Sequence, residues 1–354
     1  MKKIKLIENR TKLLLNNYVS YYKSKHWKRY DLRKKLINSS NLSNFRNNGL
    51  SSGLDDQHTK SKIKEFYQKL RKKVPLKFII KNLLRTNIGN LLNYLNVKYK
   101  NTYLNIDYGQ FFFIYWLFLV KKIIKKKEIK YICEIGAGYG GFSAKIIKYY
   151  PNAKYLIIDL PEANFLSCYF LSKVFPNKRI LLAYKKKIIN KSDFNKYDVI
   201  IIPPWFRVCK IKFDLFINTR SMMEMNKNTI FEYFKFIHNN ISANGYFLNI
   251  NRYFKNSVED PLKLTSYPYD DKWNVLFSKP AWQQRHIRVL LTKRTTNPKN
   301  NIHKEFKKLK KITNSYFLKE TKTKKSLGAE IYWVFKRKCF IIYEYFKDLK
   351  ILKT

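Results

Sequence analysis

The sequence lacks any Cys-x-x-Cys pair: its four cysteines, Cys133, Cys168, Cys209 and Cys339, stand far apart. That spacing argues against a disulfide scaffold and a structural zinc site, and suggests an intracellular, cytoplasmic protein. It also lacks an apolar run of membrane-spanning length. The longest, residues 111–120, is about half of the roughly 20 residues a spanning helix needs, and predicts a buried helix instead. Near the N-terminus, Glu8, Arg10 and Lys12 interrupt the chain before a signal-peptide apolar stretch can develop. Acidic residues are scarce as well, 24 Asp and Glu against 73 Lys and Arg, for a formal charge of +49.

Such an excess attracts polyanions, whether nucleic acid, an anionic lipid surface or an acidic polysaccharide. Compositional bias explains it at least as well. Asn, Ile and Phe are also abundant; all have AT-rich codons and add no charge, so the charge by itself names no partner. A hydrophobic fraction of 45% with 17% aromatics is enough for a packed core. The 354 residues suggest about two structural units at roughly 150 residues each.

Three regions differ in pattern. Residues 1–128 read as basic helices broken by a polar connector at 38–60, and they end in the helix over 111–124. Residues 129–296 alternate short apolar runs with amphipathic segments, which predicts an α/β fold with a mostly parallel sheet. Residues 297–354 return to a Lys-rich helical tail, in which 331–352 is compatible with an interfacial helix touching an anionic membrane. Within the middle region, strands are expected at 131–135, 155–158, 213–217 and 246–250, with 275–277 and 287–291 as a closing pair. Residues 180–183 and 199–202 compete for the third strand. Asn244-Gly245 is expected to end the helix whose apolar face is Ile230, Phe234, Ile237 and Ile241.

Chemistry concentrates at Glu134-Ile135-Gly136-Ala137-Gly138-Tyr139-Gly140-Gly141, between the first strand and its helix. Glycines there permit φ > 0 and close approach of a ligand to backbone N–H groups at a helix N-terminus. Asp159, nineteen residues beyond Gly140, ends the second strand at the spacing of a ribose-binding carboxylate. Gly136, Gly138 and Gly141 also satisfy a dinucleotide GxGxxG pattern. Glu134 separates the two readings, because a carboxylate there repels a pyrophosphate but suits the ammonium of a methionine moiety.

On these residues the chain resembles class I S-adenosylmethionine-dependent methyltransferases over about 131–294. Three segments are similar to the sugar O-methyltransferases of bacterial surface-polysaccharide gene clusters: Glu134 to Gly141, Asp159-Leu160-Pro161-Glu162, and Phe213 to Met225. The resemblance implies a Rossmann-like domain with an antiparallel closing strand. S-adenosyl-L-methionine would then be held by Glu134, Gly136, Ala137, Gly138, Tyr139, Gly140, Asp159, Leu160 and Asn218. Trp205 would form a wall of the adenine pocket. It also implies a sugar or glycan acceptor, with nucleotide-sugars or lipid-linked glycans as anionic forms that would fit the basic flanks.

Methyl transfer to a hydroxyl is an in-line displacement that needs alignment and a proton acceptor. Glu224 and His286 are the candidate bases, while Ser221, Asn251 and Arg252 are candidates to contact the acceptor. Each has a plainer alternative: a helix-start charge for Glu224, a structural strand-start imidazole for His286, an exposed strand-end cation for Arg252. The acidic pairs Glu259-Asp260 and Asp270-Asp271 read as solvated turns rather than metal ligands, and no metal is assigned. Ile202-Pro203-Pro204-Trp205 approximates a DNA amino-methyltransferase motif, but Ile202 stands where the polar residue belongs. A nucleic-acid methyltransferase is thus favoured only by charge. A nicotinamide-dependent oxidoreductase and a non-catalytic polyanion-binding protein are the remaining alternatives.

Overall fold

Short, almost wholly apolar runs separated by helices leave the chain one economical arrangement, a parallel sheet covered on both faces. The computed structural model of the protein describes residues 2–16, 42–46, 60–83, 88–90, 94–99, 102–125, 129–185, 187–255, 261–282 and 284–323. The predicted 331–352 helix, Cys339 and the Glu259-Asp260 pair lie outside the described residues.

Helices α1 (Lys2–Asn16), α2 (Lys60–Arg71) and α3 (Leu76–Asn82) come first, then a hairpin of β1 (Leu95–Tyr99) and β2 (Thr102–Ile106). Next is α4 (Tyr108–Ile123), capped by Asp107, whose carboxylate accepts from Gln110 N at 2.9 Å. The alternating region runs β3 (Tyr131–Ile135), α5 (Gly141–Tyr149), β4 (Lys154–Ile158), α6 (Pro161–Val174), β5 (Ile180–Leu182), β6 (Ile188–Asn190), α7 (Asp193–Lys196) and β7 (Val199–Ile202). It continues through β8 (Arg207–Cys209), β9 (Phe213–Thr219), a 3₁₀ turn at Met222–Glu224, α8 (Lys227–Asn240), β10 (Ile241–Arg252), β11 (Phe254–Lys255) and β12 (Leu262–Lys263). Strands β13 (Trp273–Pro280) and β14 (Ile287–Arg294) and helix α9 (Ile302–Thr323) complete the described chain.

The main sheet has eight strands in the order β13-β14-β10-β9-β3-β4-β7-β5. From β10 to β5 neighbouring strands are parallel, and β14 is antiparallel to both β10 and β13. This is the mixed α/β, mostly parallel sheet expected from the sequence, closing antiparallel strand included. From β3 the chain passes outward to β4 and on to the edge strand β5, comes back to β7 between those two, then crosses to β9 on the other side of β3. The reversal creates a switch point, where open α/β sheets bind ligands beyond the carboxyl ends of their strands.

Three details differ from the sequence reading. Asn244-Gly245 does not end a helix. Helix α8 stops at Asn240, and the dipeptide forms an irregularity inside β10, with Asn244 at φ 63° and a register shift between Ile241 and Tyr246. Ile241 already pairs with Phe213 of β9, so the helix stops before the dipeptide, which keeps its turn conformation as a bulge in the strand. Residues 199–202, not 180–183, lie next to β4, while 180–182 forms the outer edge. The N-terminal region carries the β1–β2 hairpin in addition to helices.

The N-terminal helices share the buried cluster of the sheet. Arg46 pairs with Asp107 at 3.2 Å in a buried salt bridge. Lys145 of α5, also fully buried, donates to Asn82 O at 2.7 Å and to Gln110 Oε1 at 2.6 Å. Such desolvated cations persist only when bonded, so these contacts lock residues 42–46, α3 and α4 onto α5. No helix among the described residues is long and apolar enough to cross a membrane.

Candidate functional site

The glycine turn follows β3 at the switch point, and its backbone shape accounts for its composition. Gly136, Gly138 and Gly140 have φ of 76°, 58° and 88°, a region that side chains with Cβ rarely adopt. A Cβ on Gly136 would come within 1.8 Å of Ser221 Oγ, so this glycine is required twice over. At Gly138 a Cβ would meet nothing within 4 Å. Its φ demands glycine, and the space above it is open.

Asp159, half-buried at the end of β4, closes the turn from the other side. Its Oδ2 accepts from Gly138 N at 2.8 Å and its Oδ1 from Leu160 N at 2.7 Å. Desolvation pushes its carboxyl up to about 7, although both backbone N–H bonds pull the other way. Each oxygen retains a lone pair for a hydroxyl donor.

Glu134 is fully buried in β3. Its Oε2 accepts from Ser143 Oγ at 2.5 Å and from Tyr155 Oη at 2.6 Å, which pins α5 and β4 to the turn. Its Oε1 is sealed from solvent with no hydrogen-bond partner among the described residues. Burial raises the carboxyl to about 7 against the two hydroxyl bonds. An orphaned carboxylate oxygen of this kind wants a donor. It is therefore the atom of Glu134 suited to an ammonium, and the hydroxyl contacts were not foreseen in the sequence.

The other expected cofactor residues divide. Ala137 is half-exposed in the turn and Leu160 gives its N–H to Asp159. Trp205 is half-buried just beyond β7, next to the strand end where Asp159 N donates to Ile202 O at 3.2 Å. The Tyr139 ring turns into the core, edge-on to Phe170 at 5.0 Å, with Arg46 Nη2 donating to its hydroxyl at 3.2 Å. Asn218 is fully buried, donating to Ile135 O at 2.7 Å and accepting from Met222 N at 3.1 Å and Asn251 Nδ2 at 2.8 Å. Asn251 accepts in turn from Met223 N at 3.0 Å. Both asparagines bind together the strand ends they lie on, which gives each a structural use.

Ser221 lies against Gly136, on the side of the turn facing β9. Glu224, in the 3₁₀ turn, pairs with Lys255 at 3.4 Å. His286 is half-buried, and its Nε2 is sealed off with no hydrogen-bond partner among the described residues. Burial, then the charges of Arg252 and Arg220, lower the imidazole to about 4, so it is neutral near pH 7. Arg220, missed in the sequence reading, has φ 62°. Only its position between a strand end and Ser221 could have signalled it. Asp270 is held by both guanidinium nitrogens of Arg294, a structural use in keeping with the turn expected there.

The sequence matches no family model and no curated protein. Among solved structures it is similar to the mitomycin 7-O-methyltransferase MmcR at 10% identity and a TM-score of 0.33, over 52% of this chain and 57% of that one. It is similar to an rRNA methylase from Streptococcus thermophilus at 9% identity and 0.31, over 49% and 91%. Against human N-acetylserotonin methyltransferase the values are 12% and 0.31, over 52% and 55%. The chain thus spans little more than half the length of the first and third. The strand order itself remains the ground for the fold.

Proposed function

We propose that the protein is an S-adenosylmethionine-dependent O-methyltransferase acting on a sugar hydroxyl, in surface-polysaccharide assembly. The observation that carries the cofactor reading is the open space above Gly138, whose N–H Asp159 accepts, in the turn that follows the buried, half-satisfied Glu134. Asp159 would take the ribose hydroxyls, Glu134 Oε1 the ammonium, and Trp205 would wall the adenine. Asp159 suits the ribose of either ligand, but a carboxylate at Glu134 would repel a pyrophosphate, which disfavours a dinucleotide. When bound, the cofactor supplies an electrophilic methyl on a sulfonium.

The chain's own residues account for the rest of the chemistry. The turn and Ser221 fix the floor of the site. His286 Nε2 has no hydrogen-bond partner among the described residues and would take the hydroxyl proton as a weak base, its pKa being lowered to about 4, whereas Glu224 is engaged by Lys255. The sugar acceptor follows from the resemblance in the Phe213 to Met225 segment. Incubation with labelled donor and a panel of nucleotide-sugars, glycans and nucleic acids tests the reading. Label in a carbohydrate hydroxyl supports it; label in nucleic acid alone refutes the acceptor class.

A further inference from the structure

Beside the glycine turn, at the carboxyl ends of β9 and β10, positive charge gathers around one carboxylate. Arg220 follows β9, Arg252 ends β10 and Lys255 ends β11. Arg220 senses Arg252 and Glu224, Lys255 senses Arg252, Arg220 and Glu224, and His286 senses both arginines. Among the described residues, Glu224 is the only carboxylate in this set, against two arginines and a lysine. Burial lowers both Arg220 and Lys255.

Arg220 is the informative member. Its Nη1 is sealed from solvent and has no hydrogen-bond partner among the described residues. Its backbone is held at φ 62° by an N–H donated to Ile250 O at 2.7 Å, a left-handed conformation that disfavours any residue with a Cβ. A desolvated guanidinium donor in a left-handed backbone, with Arg252 near it and its one carboxylate neighbour Glu224 shared with Lys255, is compensated only in part. The loop leading to His286 has the complementary character. Trp282 Nε1, Gln284 Oε1 and His286 Nε2 are all buried without hydrogen-bond partners among the described residues. Trp282 packs 5.9 Å from both Phe66 and Tyr115, so α2 and α4 back this loop. Orphaned donors and acceptors around an aromatic ring match a polyhydroxylated ligand.

We propose that Arg220, Arg252 and Lys255 form an oxyanion subsite that holds a phosphate or carboxylate carried by the hydroxylated acceptor. The subsite deepens the methyl-transfer reading, on which its role as an acceptor site rests. The anion binding itself does not depend on that reading. With the oxyanion in place, the repulsion between the guanidinium groups is offset and the acceptor's hydroxyls lie toward the His286 loop. A neutral sugar leaves the arginines compensated only in part.

The test is calorimetry of the full chain with glucose 1-phosphate, glucuronate, inorganic phosphate and glucose, each with and without S-adenosylhomocysteine. At least one of the two anionic sugars is expected to bind about tenfold or more tighter than glucose, and the tighter one identifies the oxyanion as phosphate or carboxylate. Arg220→Gln should weaken that binding by about tenfold or more while changing S-adenosylhomocysteine affinity by less than about twofold. Should Arg220→Gln fail to fold by circular dichroism, Arg220→Lys and Arg252→Gln supply the same comparison. Equal binding of glucose and the anionic sugars, no binding of either anionic sugar, or undiminished affinity in folded variants overturns the proposal. Oxyanion binding without S-adenosylhomocysteine binding would sink the methyl-transfer reading and leave the subsite standing.

Discussion

Ser221 Oγ stands 1.8 Å from the point where Gly136 would carry a Cβ, so the turn after β3 and the turn after β9 touch across the switch point of the sheet. Gly136→Ala meets both that side chain and a φ of 76°. It is expected to destabilise the protein by about 2–4 kcal/mol. Ser221→Gly in the same chain should restore part of the loss, since it removes the clash and leaves the backbone strain. Urea melts of the four proteins of this cycle measure the coupling, and strictly additive losses would mean the two turns do not touch.

How much of this was legible beforehand follows the range of the interactions. The glycine turn, Asp159 and the alternation of strands and helices are local patterns, and the structure has them where the sequence put them. Asn244-Gly245 misled because a turn dipeptide does not tell a helix end from a bulge in a strand. Asn218 and Asn251 read as ligand contacts because an asparagine at a strand end looks the same whether it faces a ligand or a neighbour. The register that sets Asn218 opposite Asn249 puts Asn251 just beyond it, where its Nδ2 donates to Asn218 Oδ1 at 2.8 Å. Arg220 was silent for a similar reason, since its significance lies in its backbone conformation and in Arg252, 32 residues away.

The asparagine pair gives a second prediction. Asn218→Ala leaves Ile135 O, Met222 N and Asn251 Nδ2 without their partner. A loss of about 2–4 kcal/mol is expected, seen as a lower thermal midpoint. A variant of unchanged stability but weaker cofactor binding would show that the side chain serves the ligand instead.

Glu134 makes stability depend on pH in an unusual direction. Its carboxyl is raised to about 7 in the folded state, above the ordinary 4.5, so the native protein holds the extra proton between those values. Stability from this group is therefore full below about pH 4.5 and falls as pH rises through 7, by about 3 kcal/mol in total. Glu134→Gln keeps an acceptor for Ser143 and Tyr155 and removes the titration. Its thermal midpoint should exceed that of the wild type at pH 8 and approach it at pH 5. Parallel pH profiles for the two proteins would contradict the assignment.

The same titration should govern the cofactor. An ammonium at Glu134 Oε1 and ribose hydroxyls at Asp159 both favour the ionised carboxyls, so S-adenosylhomocysteine should bind more weakly as pH falls below about 7. Binding measured from pH 6 to 8 checks this. A flat profile would place the ligand away from both groups.

The most direct measurement is calorimetric titration of the wild type and Asp159→Ala with S-adenosylhomocysteine and, separately, with NAD. The wild type should bind S-adenosylhomocysteine and not NAD, and Asp159→Ala should lose about tenfold or more of that affinity. Saturable binding of NAD, or no binding of S-adenosylhomocysteine by folded wild-type protein, would contradict the account.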